Sequence, residues 1–413
     1  MAIVYTKTDQ GLTVATGTGA PVHTAVAGDR YTDTANGNTY QYTTIWNLMP
    51  LSGGLTYFTE AQNTTAPNAT VPVDTLTAVT ATTNGDVAIV PKGTGAFTLA
   101  VADNLASGGN KRGTNAVDLQ SIRSSNSQVA SGISSFLAGN GSTANGSYSS
   151  AIGYLNTASG TYSSAIGYGN IASNTFSFSF GSSCTASNAN AIAMGNRAKA
   201  TGDSSICLAS YFFADSTASG ANSTLIGYGS AGGTYSLGLG FSVTATGAQA
   251  TAIGYSANTF STIGRIAIGG VAGGTGEAQK GIIQYRQLTT DATPTILTTN
   301  NAVAFNDNAG SQLALRNQQV MRFKGSITAK KSGTTDIAVW DIDGVIVRGA
   351  NAASTVLTVG NVNVVTNIPA WVTPTLAANT SVNVGGLLIT ITGVIATNIQ
   401  WFAVLDTVEN IYA

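Results

Sequence analysis

Charge is what this sequence has least of. Aspartate, glutamate, lysine and arginine make up 8% of its 413 residues, where an ordinary globular chain carries about a quarter. The net charge is −1, so no long-range field draws it to nucleic acid or to an anionic lipid surface. The adjacent pair Lys330-Lys331 reads as a solvated strand end. His23 is the single histidine. Any Ser-His-Asp or Cys-His arrangement would have to use it, and no Gly-x-Ser-x-Gly elbow accompanies it; it reads as a surface residue. The two cysteines, Cys184 and Cys207, read as small fillers rather than as a disulfide, which suits assembly in a reducing cytosol. No apolar run approaches a membrane-spanning length, so no membrane insertion is expected. Nor does any residue set call for a cofactor or a metal. Low charge can accompany disorder, but a patterned apolar fraction of 43% points to an ordered, β-rich structural protein.

What the chain has instead is a repeat. Gly139, Gly153, Gly167, Gly181 and Gly195 stand 14 residues apart. Ala209 takes the next place, and after a four-residue insertion the series resumes less evenly at Gly227, Gly240, Gly254 and Gly269. A second series runs through Gly132, Gly146, Gly160, Asn174, Asn188 and Gly202, where Asn replacing Gly suggests positive φ. Fixed-period self-similarity marks a solenoid. A unit such as Tyr148 to Gly160 has room for two short strands and two tight turns, with the glycines expected at the bends. The residue before the first-series glycine is mostly bulky (Ile152, Ile166, Phe180, Met194, Leu208), and the one before that is small (Ala151, Ala165, Ser179, Ala193, Cys207). Alternate residues face opposite ways, so one face is bulky and the other tiny, and the pattern leaves open which faces the bore. Ten such rungs make a rod of roughly 45–50 Å. So thin a coil encloses little core, which argues that it buries a second apolar face against copies of itself; a three-fold bundle is the natural closure.

The unit Ser-x-Ala-Ile-Gly-x-x-Asn-x-Ala-Ser-Gly, clearest at 149–160 and 163–174, resembles the head repeat of trimeric autotransporter adhesins, which also occurs in bacteriophage tail fibres. The resemblance implies an all-β chain whose left-handed parallel β-roll is intertwined in a homotrimer. The start Met1-Ala-Ile-Val-Tyr-Thr-Lys7 reads as a strand, without the charged and apolar regions expected of a leader. With no stalk or membrane-barrel pattern toward Ala413, the expectation is a fibre made in the host cytoplasm and carried on the virion.

Four segments are expected. Residues 1–50 form a β-hairpin module around Asn36-Gly37, similar to hairpins near the virion-proximal end of phage fibres. Residues 51–129 form a β-rich connector and solenoid cap, with Asp86 to Val101 read as strand, turn, strand. In it, Pro91-Lys-Gly-Thr-Gly-Ala96 followed by Arg112-Gly-x-x-Ala-Val-Asp-Leu-Gln120 resembles a module order of phage tail fibres. Arg112, Asp118 and Arg123 read as an ion-pairing set that closes the solenoid end, which would otherwise present a bare strand edge. Residues 130–276 are the β-roll. Residues 277–413 read as an antiparallel β-sandwich, resembling a C-terminal fibre domain that often contacts the host.

The remaining chemistry is sparse. Asp341 and Asp343 could suggest a metal, but Asp343-Gly344 reads as a hairpin turn and no EF-hand acid follows. Glycan cleavage needs paired carboxylates, and the ten-rung stretch offers Asp203 and Asp215 without a cleft. Tyr211, Phe212 and Phe213, in the insertion, are either local packing or an aromatic platform for sugar contact. Tyr154, Tyr168, Tyr228 and Tyr255 read as a stacked ladder. The function expected is a non-catalytic phage fibre, joined to tail or baseplate proteins and gripping a host glycan or protein receptor. A purely architectural virion fibre and a capsule depolymerase are the alternatives.

Overall fold

The computed structural model describes residues 88–413, except 212, 271–276, 301–310, 369, 382–383 and 413, together with the strands of the first 78 residues. The chain divides into two compact units, Met1–Val90 and Pro91–Ala413. In the first, Val4–Lys7, Thr13–Gly17, Arg30–Asp33, Thr39–Tyr42 and Trp46–Leu48 pair in chain order into a five-stranded sheet. Tyr31 pairs with Tyr40 and Thr32 with Thr39, framing Asn36-Gly37, which lies outside the described residues, as does His23. Phe58–Asn63 and Val73–Ala78 make a separate antiparallel pair.

The second unit opens into a β-solenoid of about ten turns. One coil holds a five-residue strand and a short one, as in Ser150–Tyr154 and Thr157–Ala158, and the next coil repeats both in parallel register. Ala151 pairs with Ala165, Ile152 with Ile166 and Gly153 with Gly167. The stack starts ahead of the regular repeat: Phe97–Thr98 lies parallel to Val117–Ile122, which pairs with Phe136–Asn140. Residues 88–90 carry no strand, so the strand expected from Asp86 is not formed there.

The small residues face the bore. Ala144, Ala151, Ala158, Ala165, Ala172, Ala186, Ala193 and both cysteines are fully buried. Cys184 and Cys207 are free thiols. A buried methyl contributes about 0.8 kcal/mol, a third to a half of what a buried Leu or Ile supplies. The bore alone is therefore a thin source of stability.

The glycines work differently from the expectation. Gly139, Gly153, Gly167, Gly181 and Gly195 are not at the bends; each is the fourth residue of its strand, with φ between 112° and 139°. A Cβ on Gly153 would meet the Gly167 carbonyl oxygen at 2.2 Å, so both backbone angle and rung spacing demand glycine there. The bends come two residues later, at Gly141, Leu155, Gly169, Ser183 and Arg197. In the second series, none of the six Gly or Asn residues has left-handed φ. Gly146 is required by contact instead, since its Cβ would lie 2.0 Å from the Gly160 carbonyl oxygen. The left-handed residues are Ser134, Tyr148, Tyr162, Phe176, Asn190 and Ser204.

Beyond the last coil the chain becomes antiparallel. Ile266–Gly269 pairs with Ala278–Thr289, so the final rung is continued rather than left as an edge. Ala278–Thr289, Ile399–Ile411, Gln319–Lys331, Ile337–Arg348 and Thr355–Ile368 lie side by side in that order. A smaller sheet is built on Gly386–Thr392, which pairs with Pro294–Ile296, Leu313–Ala314 and Thr375–Asn379. Trp340, Trp401, Phe323 and Met321 from the large sheet share one buried core with Leu387, Ile389 and Ile391 from the small one. The Trp340 and Trp401 rings stack at 5.6 Å.

One turn expectation fails here. Asp343 and Gly344 are mid-strand, paired with Lys324 and Phe323. Gly344 is there because the Phe323 ring and the Val359 carbonyl crowd its Cα, not because the chain reverses. Lys331 does end its strand, 3.7 Å from Asp336.

Candidate functional site

The outward face of the solenoid carries the bulky series. Ile152, Ile166, Phe180, Met194, Leu208, Ile226, Leu239, Ile253 and Ile268 are in direct register from coil to coil. They form one unbroken apolar column, and Ile152, Phe180, Ile226, Leu239 and Ile268 remain 37–44% exposed. Two residues along the strand, Tyr154 stacks on Tyr168 at 5.4 Å and Phe241 on Tyr255 at 5.4 Å. Tyr228 leans on Phe241 at 5.2 Å, so the expected tyrosine ladder exists in two lengths.

A second ladder went unread in the sequence. Tyr148, Tyr162 and Phe176 stack at 5.0 and 5.1 Å with planes within 7°. Each sits at a left-handed corner with φ of 55–58°, a conformation costing a bulky residue about 1–2 kcal/mol. Ring stacking returns about 0.5–1.5 kcal/mol per pair. Its signal was available: three aromatics two places after the second-series Gly or Asn.

Buried amides run along the inside of the coils. Gln120 Oε1 accepts the Ser142 amide at 2.8 Å, Ser142 Oγ the Asn156 amide at 3.0 Å, and Asn156 Oδ1 the Asn170 amide at 2.9 Å. Asn170 Oδ1 accepts the Cys184 amide at 2.9 Å. The Nδ2 groups of Asn156 and Asn170 each donate to a carbonyl of their own coil and one of the next.

The proposed cap residues come together at the first coil. Asp118 is fully buried and accepts Arg112 Nε at 2.7 Å and Arg123 Nη2 at 3.2 Å. Arg123 Nε also donates to the Gln128 carbonyl at 3.0 Å. A similar knot at the other end had no sequence signal, because its parts are far apart in the chain. Buried Arg265, in the last coil, pairs with buried Glu409. Thr407 Oγ1, Gln279 Nε2 and Gln319 Nε2 donate to the same carboxylate at 2.6, 3.0 and 3.3 Å.

The insertion is folded against the rod. Tyr211 packs on Tyr228 at 4.5 Å and edge-on to Phe241 at 5.3 Å. Phe213 meets Tyr211 edge-on at 5.9 Å while 81% exposed; Phe212 lies outside the described residues. Asp215 pairs with Arg197 and Lys199. The hydrogen bond from Lys199 is the main reason its carboxyl titrates below the usual range.

For chemistry the described residues offer little concentration of groups. No set of three or more His, Cys, Asp or Glu gathers among them. Burial pushes the Cys184 thiol up, and the Cys207 thiol to about 11, so neither is a ready nucleophile. Asp203 is exposed, and Asp215 is tied into its ion pairs. Asp341 accepts Ser326 Oγ at 2.7 Å and Asp343 accepts Asn361 Nδ2 at 3.3 Å across neighbouring strands. No helix among the described residues is long and apolar enough to cross a membrane.

The chain matches no protein-family model and no curated protein. Among solved structures it is similar to the tailspike protein of Acinetobacter baumannii phage AM24, at 11% identity over 73% of this chain and 60% of that one, with a TM-score of 0.18. It thus spans about 60% of that tailspike's length.

Proposed function

We propose that this protein is a homotrimeric bacteriophage fibre that attaches the virion to a host surface without cleaving it. The observation that carries the reading is the outward apolar column, nine side chains in register on a solenoid whose bore is filled largely by alanine. A fully buried Ile, Leu or Phe contributes about 1.5–3 kcal/mol. Burying the exposed remainder of each column residue against another copy would add about 0.5–1 kcal/mol, several kcal/mol per chain over nine coils. Three parallel copies sharing this seam close the assembly without leaving a free column.

Phage origin rests on the repeat's resemblance to fibre and adhesin heads, and on the Pro91–Ala96 and Arg112–Gln120 modules that precede it. In this reading residues 1–50 join the fibre to tail or baseplate proteins and 277–413 form the receptor-binding tip. Multivalency raises a weak single-site affinity for a glycan or protein receptor. Two measurements test it. Sedimentation equilibrium should return three times the chain mass, and the protein should adsorb to some members of a panel of bacterial isolates and lose that on deletion of 277–413. A folded monomer, or release of soluble sugar from the host polysaccharide, would overturn the reading.

A further inference from the structure

A cleft of about 530 Å³ opens where the last coil meets the two C-terminal sheets. Phe260 and Ser261 wall it from the loop after Thr251–Tyr255, Ala314 to Asn317 from the segment before Gln319–Lys331, Arg348 from the end of Ile337–Arg348, and Val384 from the approach to Gly386–Thr392. Two arginines line it and, among the described residues, no carboxylate does. That imbalance is unusual in a chain so poor in charge.

The two cations are held in different ways. Arg348 is fixed: its Nε donates to Asn317 Oδ1 at 3.0 Å and its Nη1 to the carbonyls of Leu315 and Val384 at 2.6 and 3.0 Å. Those bonds leave Nη2 over. The Arg316 guanidinium makes no hydrogen bond among the described residues and lies over the Phe260 ring, 4.5 Å from its centroid. Arg265 stands 5.2 Å from the same ring, its charge taken up by Glu409. Burial, and after it the charges of Arg348 and Arg265, hold the Arg316 guanidinium below its ordinary range. Phe260 and Ser261 have consecutive left-handed φ of 49° and 60°, a conformation non-glycine residues hold only where surrounding contacts enforce it.

The geometry points to a binding site for the carboxylate of an acidic sugar, received by Arg316 and Arg348. Guanidinium forks match a planar carboxylate in two-point hydrogen bonds, and a cleft of this volume admits a small saccharide. Asn317 holds Arg348 through its Oδ1, which leaves its amide N–H groups to donate to a sugar hydroxyl. The assignment rests on the adhesion reading, naming the class of ligand gripped.

The test is calorimetric titration of the full-length protein with a glucuronate-containing oligosaccharide, its neutral glucose counterpart and inorganic phosphate. Cell adsorption is scored on the same preparations. The uronate should bind and the neutral sugar should not. Arg316→Ala should weaken uronate binding roughly 10- to 100-fold, the loss expected for charge-assisted hydrogen bonds. The Arg316 side chain makes no hydrogen bond among the described residues, and its backbone amide bond to Gln319 survives truncation. This variant should therefore keep the fold, which circular dichroism checks, and Arg316→Lys should fall between. Equal binding of the neutral sugar, binding of phosphate alone, or an unaffected Arg316→Ala would overturn the proposal. If cells are adsorbed but no uronate binds, the cleft assignment falls and adhesion stands. If uronate binds and no isolate is adsorbed, adhesion falls and the cleft assignment stands.

Discussion

The backbone amide of Asn170 donates to the side-chain Oδ1 of Asn156, one coil away, at 2.9 Å. The same seat is filled by Ser142 before it and Cys184 after it. Alanine in the bore supplies shape but little transfer energy. This polar line satisfies a backbone group at the corner where the strand ladder is interrupted, and an unpaired buried amide there would cost about 1–3 kcal/mol.

Replacing Asn170 therefore tests how much the line contributes. Asn170→Ala removes the acceptor of the Cys184 amide and the donor to the Ile166 and Gly181 carbonyls. A loss of about 3 kcal/mol is expected in guanidinium unfolding followed by far-ultraviolet circular dichroism. Asn170→Ser should lose less, because Ser142 already serves this seat with a hydroxyl. Equal losses would mean that the side chain acts by volume alone.

The apolar column makes a separate claim. Phe180 pairs in register with Ile166 and Met194 and is 44% exposed in the single chain. A carboxylate there would be buried without a partner in a trimer, yet hydrated in a monomer. Phe180→Asp should shift sedimentation from three chains to one while leaving the β-sheet circular dichroism in place, and Phe180→Leu should remain trimeric. A trimeric Phe180→Asp would exclude the column as the seam.

Much of this architecture was legible because a solenoid writes its periodicity into the chain. The parallel register and the split into a small and a bulky series follow from one count of 14 residues; that the small series fills the bore is settled by burial alone. The period could not tell a glycine forced by φ, such as Gly153, from one forced by contact, such as Gly146. Both leave the same letter, and only the distance to the next rung separates them. Arg112, Asp118 and Arg123 were readable as a group because they are near neighbours in sequence. Arg265 and Glu409 were not, being 144 residues apart, and neither were the cleft residues Phe260, Arg316 and Arg348. Asp343-Gly344 misled because turn propensity is local, while Phe323 and Val359 decide that position from other strands.

The two ion-pair knots should stabilise opposite ends of the solenoid independently. Asp118→Ala leaves Arg112 and Arg123 without their buried partner, and Glu409→Ala does the same to Arg265. Each should cost about 3–5 kcal/mol. Hydrogen exchange separates them. Asp118→Ala should accelerate exchange in Val117–Ile122 and Phe136–Asn140, and Glu409→Ala in Ile266–Gly269 and Ala278–Thr289, each leaving the other end protected. Acceleration at both ends from one substitution would show that the rod opens as a single unit.

The bore also makes stability depend on alkaline pH. Burial raises the Cys207 thiol from an ordinary 9.0 to about 11. The unfolded chain then loses this proton before the native chain does. Between about pH 9 and pH 11 the unfolded state gains the free energy of ionisation while the native thiol stays protonated. Stability is therefore intact below pH 9 and falls through that window, by on the order of 2 kcal/mol for a shift of this size. Cys207 pairs with Ala193 of the preceding coil, so alanine fits the same inward series. Unfolding midpoints measured from pH 7 to pH 11 should decline less steeply in Cys207→Ala than in the natural chain. The native thiol should also resist iodoacetamide at pH 8, where an unfolded one reacts. Parallel pH profiles for the two proteins would mean that solvent reaches the bore.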